Sequence, residues 1–349
     1  MLRRLIGQSI GWELLLDGSN RKESTVMWLA NQDKIPASVL KLYGPVFQEL
    51  NWVPVSGGFS GASVWRGDDA QGKPRFALKQ WPVETAVARL AQIHGWMRDA
   101  AHLPFVPSLF STAEGAAIAQ QDERIWDATM WLAGQPRIPA CKTEVESACA
   151  AVAEIHVAWS RHAGHSSSVG VQRRIDVLSQ WLANPTARLS AFQTSLDHLV
   201  QRAVKELARI APLALRALLP WENVPQLLQP CIRDLRAEHV LFVDERVTGI
   251  IDYGAMAVDT PVFDLARLLG DLVGDNEELF AQGLNKYREC RPTFAFSDRF
   301  VRLLDRVGIV CSLVGWLLRL SNESPALPTE NIANRLLHLI VRAEQFKSM

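Results

Sequence analysis

Apolar residues alternate with polar ones, or form short runs, between about residues 50 and 135. The runs are rich in Val, Ile, Phe and Trp and are separated by turns containing Gly, Pro and Asp, a pattern that predicts β-strands. The predicted strands are residues 52–55, 63–66, 75–81, 106–110, 117–119 and 126–132. Between the third and the fourth, apolar residues recur at helical spacing, which predicts a helix over residues 83–99.

The pattern becomes helical from about residue 142 onward. The predicted helices are residues 145–162, 174–183, 186–210, 300–320 and 332–346. A β-hairpin interrupts them, because apolar runs at residues 240–243 and 247–251 flank the polar turn Asp244-Glu245-Arg246. We therefore predict an α+β protein with a helical extension (residues 1–45), a mixed-β first lobe (residues 46–135) and a mainly helical second lobe (residues 136–349).

A carboxylate stands on each side of the predicted hairpin, Asp234 before it and Asp252 after it. Kinase-type enzymes need such a pair. One Asp receives the proton of the acceptor hydroxyl, and the other holds the metal ion that bridges the nucleotide phosphates. These enzymes also place a metal-binding Asn five residues after the first Asp, and here that position is His239. The alternative interpretation is an ordinary hairpin with solvated Asp residues in its flanking turns.

A small-residue loop separates the first two predicted strands. Its candidate phosphate-binding residues are Gly57, Gly58, Phe59, Ser60 and Gly61. Glycine has no Cβ, so the backbone N–H groups of such a loop can approach phosphates closely. Kinases then place a Lys on the third strand to meet the α- and β-phosphates, and Lys79 has that position. A plain β-meander is the alternative, but the order of the loop, Lys79, Asp234 and Asp252 favours a kinase.

The hairpin region resembles the aminoglycoside phosphotransferase and choline kinase-like family of the protein-kinase-like superfamily. Asp234-Leu235, Leu241 and Ile251-Asp252-Tyr253 match the family's two loops. Ile232 and His239 depart from them, because they stand where the family has His and Asn.

The resemblance implies a two-lobed, protein-kinase-like fold and ATP-dependent phosphorylation of a hydroxyl group of a small molecule: an aminoglycoside-like compound, a sugar or an amino-alcohol. It implies that Asp234 is the catalytic base and that His239 and Asp252 bind the metal ion, Mg²⁺ or alternatively Mn²⁺. It also implies that Lys79 and the glycine-rich loop contact the phosphates of ATP. The adenine ring is then expected against the connection between the lobes, at Trp131.

Composition and charge narrow the class of protein further. The chain has 349 residues, enough for two lobes with separate cores, and its 37 Lys and Arg balance 37 Asp and Glu. We therefore expect no nucleic-acid or membrane-surface partner. The five cysteines lack metal-ligand spacing, and the longest apolar run, residues 307–318, is too short to cross a bilayer. We expect a cytoplasmic protein, and no sequence feature indicates its oligomeric state.

Two questions stay open in the sequence. The first is activity: Ile232, His239 and the lack of a Glu on the apolar face of the helix 83–99 favour a pseudokinase that binds nucleotide or serves as a scaffold without phosphoryl transfer. The second is the acceptor. The chain has a cluster of acids, Asp271, Asp275, Glu277 and Glu278. The resemblance implies that they bind a cationic sugar, and the alternative is a solvated surface.

Overall fold

The computed structural model describes residues 34–55, 61–183, 196–322 and 329–346. Four predicted loop residues lie outside these ranges, as does most of the predicted extension over residues 1–45; the loop residues are Gly57, Gly58, Phe59 and Ser60. The chain forms two compact units. Unit 1 comprises Met1–Pro136 and His239–Gly254, and unit 2 comprises Arg137–Glu238 and Ala255–Met349.

Unit 1 contains a six-stranded antiparallel sheet with the order β1-β2-β3-β6-β4, in which β5 also pairs with β6. Its strands are β1 (Asn51–Val55), β2 (Ser63–Asp68), β3 (Pro74–Gln80), β4 (Leu109–Phe110), β5 (Ala119–Gln121) and β6 (Arg124–Met130). Its helices are α1 (Ala37–Leu42), α2 (Pro45–Glu49) and α3 (Val87–Asp99). Helix α3 starts later than predicted, because the chain makes a turn in which Thr85 N–H donates to the Pro82 carbonyl (3.0 Å).

The two faces of this sheet differ in character. One face packs Phe76, Leu78 and Trp126 against Val39 and Phe47 of the first two helices, in a single apolar cluster. Successive side chains of a strand point to opposite faces, so the strand residues adjacent to Phe76 and Leu78 lie on the other face. Lys79 of β3 is one of these residues. The alternation of β3 thus presents Lys79 away from the apolar core.

A hairpin completes unit 1, formed by β9 (Val240–Val243) and β10 (Arg246–Ile250). Asp244 and Glu245 connect the strands with φ of 47° and 63°, the left-handed backbone of a tight two-residue hairpin turn. An isolated bridge between Gln135 and Phe242 ties the hairpin to the segment that follows β6. The strands of the hairpin agree with the prediction to within one residue.

Unit 2 is mainly helical. Its helices are α4 (Lys142–Ala158), α5 (Val169–Ala183), α6 (Asp197–Leu218), α7 (Val262–Val273), α8 (Glu277–Cys290), α9 (Asp298–Asn322) and α10 (Thr329–Glu344). A small antiparallel sheet, missing from the prediction, has the order β11-β8-β7. Its strands are β7 (Gly164–Ser166), β8 (Gln226–Cys231) and β11 (Ala257–Asp259). The β-rich and helical regions confirm the predicted α+β class. No described helix has the length and apolarity needed to span a membrane.

Candidate active site

Lys79 and Asp252, far apart in sequence, meet in unit 1. Lys79 Nζ donates a hydrogen bond of 3.0 Å to Asp252 Oδ1 and lies 4.2 Å from the centre of the Trp81 ring. Trp81 follows Lys79 by two residues, so its ring lies on the same side of the chain and can hold the ammonium group by cation–π attraction. The structure therefore brings together two of the predicted site residues and adds Trp81, which no sequence motif indicates.

The backbone at Asp252 has an uncommon conformation. Its φ is 61°, in the left-handed region that non-glycine residues seldom occupy. Among the described residues, five other non-glycine residues have positive φ. Four of these form the hairpin turns at Asp122-Glu123 and Asp244-Glu245, and the fifth is Arg233. Outside hairpin turns, the described non-glycine residues with positive φ are thus Arg233, next to Asp234, and Asp252. Such local strain is concentrated at functional sites.

Gly254 makes room for this arrangement. A Cβ added at Gly254 would lie 3.3 Å from Asp252 Oδ1 and 3.3 Å from the Trp81 ring, closer than most Cβ contacts. A larger residue would therefore push against both the carboxylate and the ring that supports Lys79. This close approach explains why a glycine stands at position 254.

His239 lies beside the second oxygen of Asp252. Its Nε2 is 3.9 Å from Asp252 Oδ2, and its carbonyl accepts a hydrogen bond of 2.9 Å from Ile251 N–H, which fixes the two segments next to each other. Two ligand atoms at about 2.1 Å from one ion are at most about 4.2 Å apart, so this pair lies within reach of one divalent ion. The donor set is one oxygen and one nitrogen. Mg²⁺ prefers oxygen alone, whereas Mn²⁺ and later first-row metals also accept imidazole.

Helix α3 presents a histidine in place of the acid that kinases use to pair with their strand lysine. His94 is 1% exposed, and its Nε2 lies 2.8 Å from Asp127 Oδ2. Asp127 of β6 is directly opposite Lys79 of β3 in the ladder, so the two side chains are on the same face of the sheet. Lys79 forms an ion pair with Asp252. The buried His94–Asp127 pair lies beside Lys79, on the neighbouring strand β6.

The predicted base, Asp234, belongs to unit 2, in the loop that follows β8. Asp264, at the start of α7, is fully buried and holds this loop by its side chain. Its two oxygens accept hydrogen bonds of 2.7 Å from Ile232 N–H and 2.6 Å from Arg233 N–H. Asp264 is therefore a structural brace of this loop.

A histidine supports the brace in turn. His156 Nε2 lies 3.1 Å from Asp264 Oδ2, and its Nδ1 lies 2.9 Å from the hydroxyl of Tyr287. Burial lowers the pKa of His156, against the opposing effect of Asp264. A neutral ring then donates from Nε2 to Asp264 and accepts the Tyr287 O–H at Nδ1.

Cys231 lies close enough to His156 and Asp264 for the three to suggest a metal site. However, the donor atoms already have partners. Asp264 is committed to two backbone N–H groups, and Cys231 Sγ lies 3.2 Å from the Asp259 carbonyl as a thiol donor. Burial raises the pKa of Cys231 well above its usual value, so the thiolate that a metal needs is disfavoured. This cluster is a buried hydrogen-bond network.

The loop ends in a tight turn that carries Asp234. Asp234 N–H donates to the Ile232 carbonyl (3.0 Å) with Arg233 at φ 70°, the strained form of the γ-turn. The Asp234 side chain is 45% exposed, and its Oδ1 lies 3.3 Å from Arg236 Nε and 3.2 Å from Arg267 Nη2. The carboxylate is thus accessible and is oriented by two guanidinium groups. No motif in the sequence identifies these two arginines, although Arg236 is only two residues from Asp234.

The remaining predicted nucleotide contacts are in unit 1. Trp131 is half-buried just after β6. Its backbone N–H donates to the Arg75 carbonyl (2.9 Å), and its ring centre lies 5.8 Å from the Arg66 guanidinium. Gly61, with φ of 72°, is the one predicted loop residue within the described ranges. Unit 1 therefore contains Lys79, Trp131, His239, Asp252 and Gly61, and unit 2 contains Asp234.

Comparison with known proteins gives a family match and several similar structures. The model of the "Phosphotransferase enzyme family" matches residues 51–300. Spectinomycin phosphotransferase, solved with ADP and spectinomycin, has a TM-score of 0.62 at 13% identity over 84% of this chain and 92% of its own. Amicoumacin kinase, solved with AMP-PNP, Ca²⁺ and Ami, has a TM-score of 0.57 at 11% identity over 94% of this chain and 95% of its own.

An aminoglycoside phosphotransferase from Alicyclobacillus acidocaldarius has a TM-score of 0.56 at 17% identity, covering 89% of this chain and 92% of its own. At such identities the similarity shows the fold, and it confirms the predicted kinase-like α+β fold. No curated protein matches the sequence.

Proposed function

The chain belongs to the phosphotransferase enzyme family, and from this premise we propose that it transfers the γ-phosphoryl group of ATP to a hydroxyl group of a small molecule. The observation that carries the proposal is the meeting of Lys79 with Asp252, on strained backbone and with His239 beside it. A phosphate-binding lysine next to a metal-binding carboxylate is the arrangement that phosphoryl transfer requires. The similar structures solved with ADP, or with AMP-PNP and Ca²⁺, support a nucleotide and a divalent cation as ligands here.

We propose Asp252 and His239 as the protein ligands of that cation, with Mg²⁺ or Mn²⁺ as the ion. A bound divalent ion supplies charge neutralisation at the phosphate oxygens. In the structure, Lys79 donates to the carboxylate that would bind the ion. Lys79 must therefore turn from Asp252 to a phosphate oxygen when the nucleotide binds. Trp81 keeps the ammonium group close to this position in either arrangement, because the cation–π contact does not depend on Asp252.

Asp234 is the proposed catalytic base. The acceptor hydroxyl gives its proton to the Asp234 carboxylate while its oxygen forms a bond to the γ-phosphorus. The bond from that phosphorus to the bridging oxygen breaks, and its electron pair leaves with ADP. Arg236 and Arg267 orient the carboxylate, and Asp264 fixes the loop on which it stands. The glycine-rich loop and Trp131 complete the proposed nucleotide site.

A pseudokinase is the second candidate, and one observation favours it. The counter-ion of Lys79 is Asp252, and helix α3 offers His94 where kinases carry the glutamate that positions the lysine. A protein arranged in this way could bind nucleotide without transferring phosphate.

Turnover separates the two candidates. Purified protein is incubated with ATP, Mg²⁺ or Mn²⁺, and a panel of sugars, amino-sugars, amino-alcohols and hydroxy acids. ADP formation is followed continuously, and products are identified by phosphorus NMR. The proposal expects one chemical class of acceptor to become phosphorylated. Nucleotide binding without transfer to any acceptor would favour the pseudokinase, and absence of nucleotide binding would contradict both.

A further inference from the structure

The sheet face of unit 1 that carries Lys79 also carries a buried carboxylate. In the β3–β6 ladder, Asp127 is directly opposite Lys79, and both side chains point away from the apolar cluster on the other face. The Cβ atoms of directly opposite residues are about 4.5–5.5 Å apart. The long lysine side chain can therefore bring its ammonium group to the Asp127 carboxylate by a change of rotamer.

Helix α3 fixes the position of this carboxylate. His94 Nε2 lies 2.8 Å from Asp127 Oδ2, and the two side chains are only 1% and 8% exposed. The histidine contacts one of the two carboxylate oxygens, so the other can accept a hydrogen bond from a second donor. Asp127 is thus held from the helix on one side and lies beside Lys79 on the other.

Lys79 needs a second carboxylate if Asp252 serves as a metal ligand. In the structure its ammonium group donates to Asp252 Oδ1 at 3.0 Å, next to the Trp81 ring. The proposed metal site uses Asp252 with His239, and Lys79 gives up this ion pair when the nucleotide binds. Kinases orient the lysine at that stage with a glutamate of the following helix. Helix α3 has His94 in that role's place, and His94 leads to Asp127.

We propose that Asp127, held by His94, is the positioning residue of Lys79 in the nucleotide-bound protein. The ammonium group turns from Asp252 to lie between Asp127 and the phosphate oxygens. The acid is then supplied by strand β6, and the helix supplies the histidine that holds it. This inference rests on the proposed function, because it concerns a Lys79 that contacts phosphate.

Calorimetric titration with Mg-ATP, without an acceptor, tests the proposal. The variant Asp127→Asn removes the charge with little change of shape. It is made in the wild type and in Lys79→Met, so that a double-mutant cycle isolates the coupling between the two residues. Asp122→Asn is the control, because Asp122 is exposed in the β5–β6 turn at φ of 51°, a backbone that asparagine tolerates.

Asp127→Asn should weaken Mg-ATP binding about 10-fold, the lower end of what a hydrogen bond to a charged group contributes. In the Lys79→Met background the same change should have no further effect, because Asp127 acts through the ammonium group. A purely structural role would give the same loss in both backgrounds. Asp122→Asn should bind Mg-ATP as the wild type does.

A second variant covers the case in which circular dichroism shows that Asp127→Asn does not fold. The double variant Asp127→Leu/His94→Leu replaces both buried partners by apolar side chains, a change that can be nearly neutral for folding. It should show the same loss of Mg-ATP affinity, and again only while Lys79 is present.

Two results would overturn the inference. They are an unchanged Mg-ATP affinity when the Asp127 charge is removed, and a loss of equal size in the Lys79→Met background. Failure of the proposed function looks different, because Mg-ATP then binds with the expected coupling between Asp127 and Lys79 but no alcohol is phosphorylated. Absence of Mg-ATP binding in the wild type would refute both.

Discussion

Replacing Asp264 tests whether a buried carboxylate builds the loop that carries Asp234. The change Asp264→Ala removes the acceptor of two backbone N–H groups, those of Ile232 and Arg233, and the partner of His156 Nε2. All of these groups are buried or partly buried, so water cannot easily replace the carboxylate. The backbone of the loop would then lose the contacts that hold it in the strained turn.

The magnitude follows from these contacts. A hydrogen bond to a charged group contributes about 1.5–3 kcal/mol, so two backbone bonds together give about 3–6 kcal/mol. This is a large part of the roughly 5–15 kcal/mol that stabilises a typical protein. In Asp264→Asn, the amide has one acceptor oxygen and its NH₂ group faces a backbone donor. We therefore expect a loss of similar size, with at most one of the two bonds retained.

The free energy of unfolding is measured by urea titration, followed by circular dichroism, for the wild type and each variant. Asp176→Ala is the matched control, because Asp176 accepts a single exposed hydrogen bond from Gln172. It should cost well under about 1 kcal/mol. A loss in Asp264→Ala no greater than that of the control would refute the bracing role and the argument built on it.

Three further predictions concern Lys79, His239 and His156. Lys79→Met should weaken Mg-ATP binding by roughly 10- to 100-fold in calorimetry, because a charged phosphate contact is lost, whereas Lys73→Met in the exposed β2–β3 turn should have no effect. His239→Asn should lower the ratio of Mn²⁺- to Mg²⁺-supported activity, because an oxygen ligand replaces imidazole; an unchanged ratio would remove His239 from the metal site. The free energy of unfolding of the wild type should fall as the pH drops below about 6.5, because burial lowers the pKa of His156 and only the unfolded chain then binds a proton at this ring. Urea titrations should find a smaller loss in His156→Gln.

Local patterns made part of this structure predictable. The hairpin around Asp244-Glu245 combines alternating apolar residues with a polar turn, and both signals lie within a few residues of each other. The strand of Lys79 and the position of Asp252 follow from short motifs of the same kind. In each case the information is contained in one segment, so the sequence is sufficient.

Long-range contacts decide the rest. The His94–Asp127 pair depends on how helix α3 packs on the sheet, and the contact of Arg267 with Asp234 depends on how helix α7 packs against the loop after β8. Neither has a signature within one segment. Strands β7 and β11 have only three residues each, too few for the alternation that identifies a strand.

The measurement that tests the central claim most directly is phosphoryl transfer by Asp234→Asn, with Mg-ATP binding determined on the same preparation. The Asp244→Asn variant is the control, since it makes the same chemical change in a hairpin turn whose left-handed backbone asparagine tolerates. If Asp234 is the base, transfer should fall by about 10²-fold or more while Mg-ATP affinity is preserved, and the control should behave as the wild type. Transfer at a rate close to the wild type in Asp234→Asn would contradict the proposed mechanism.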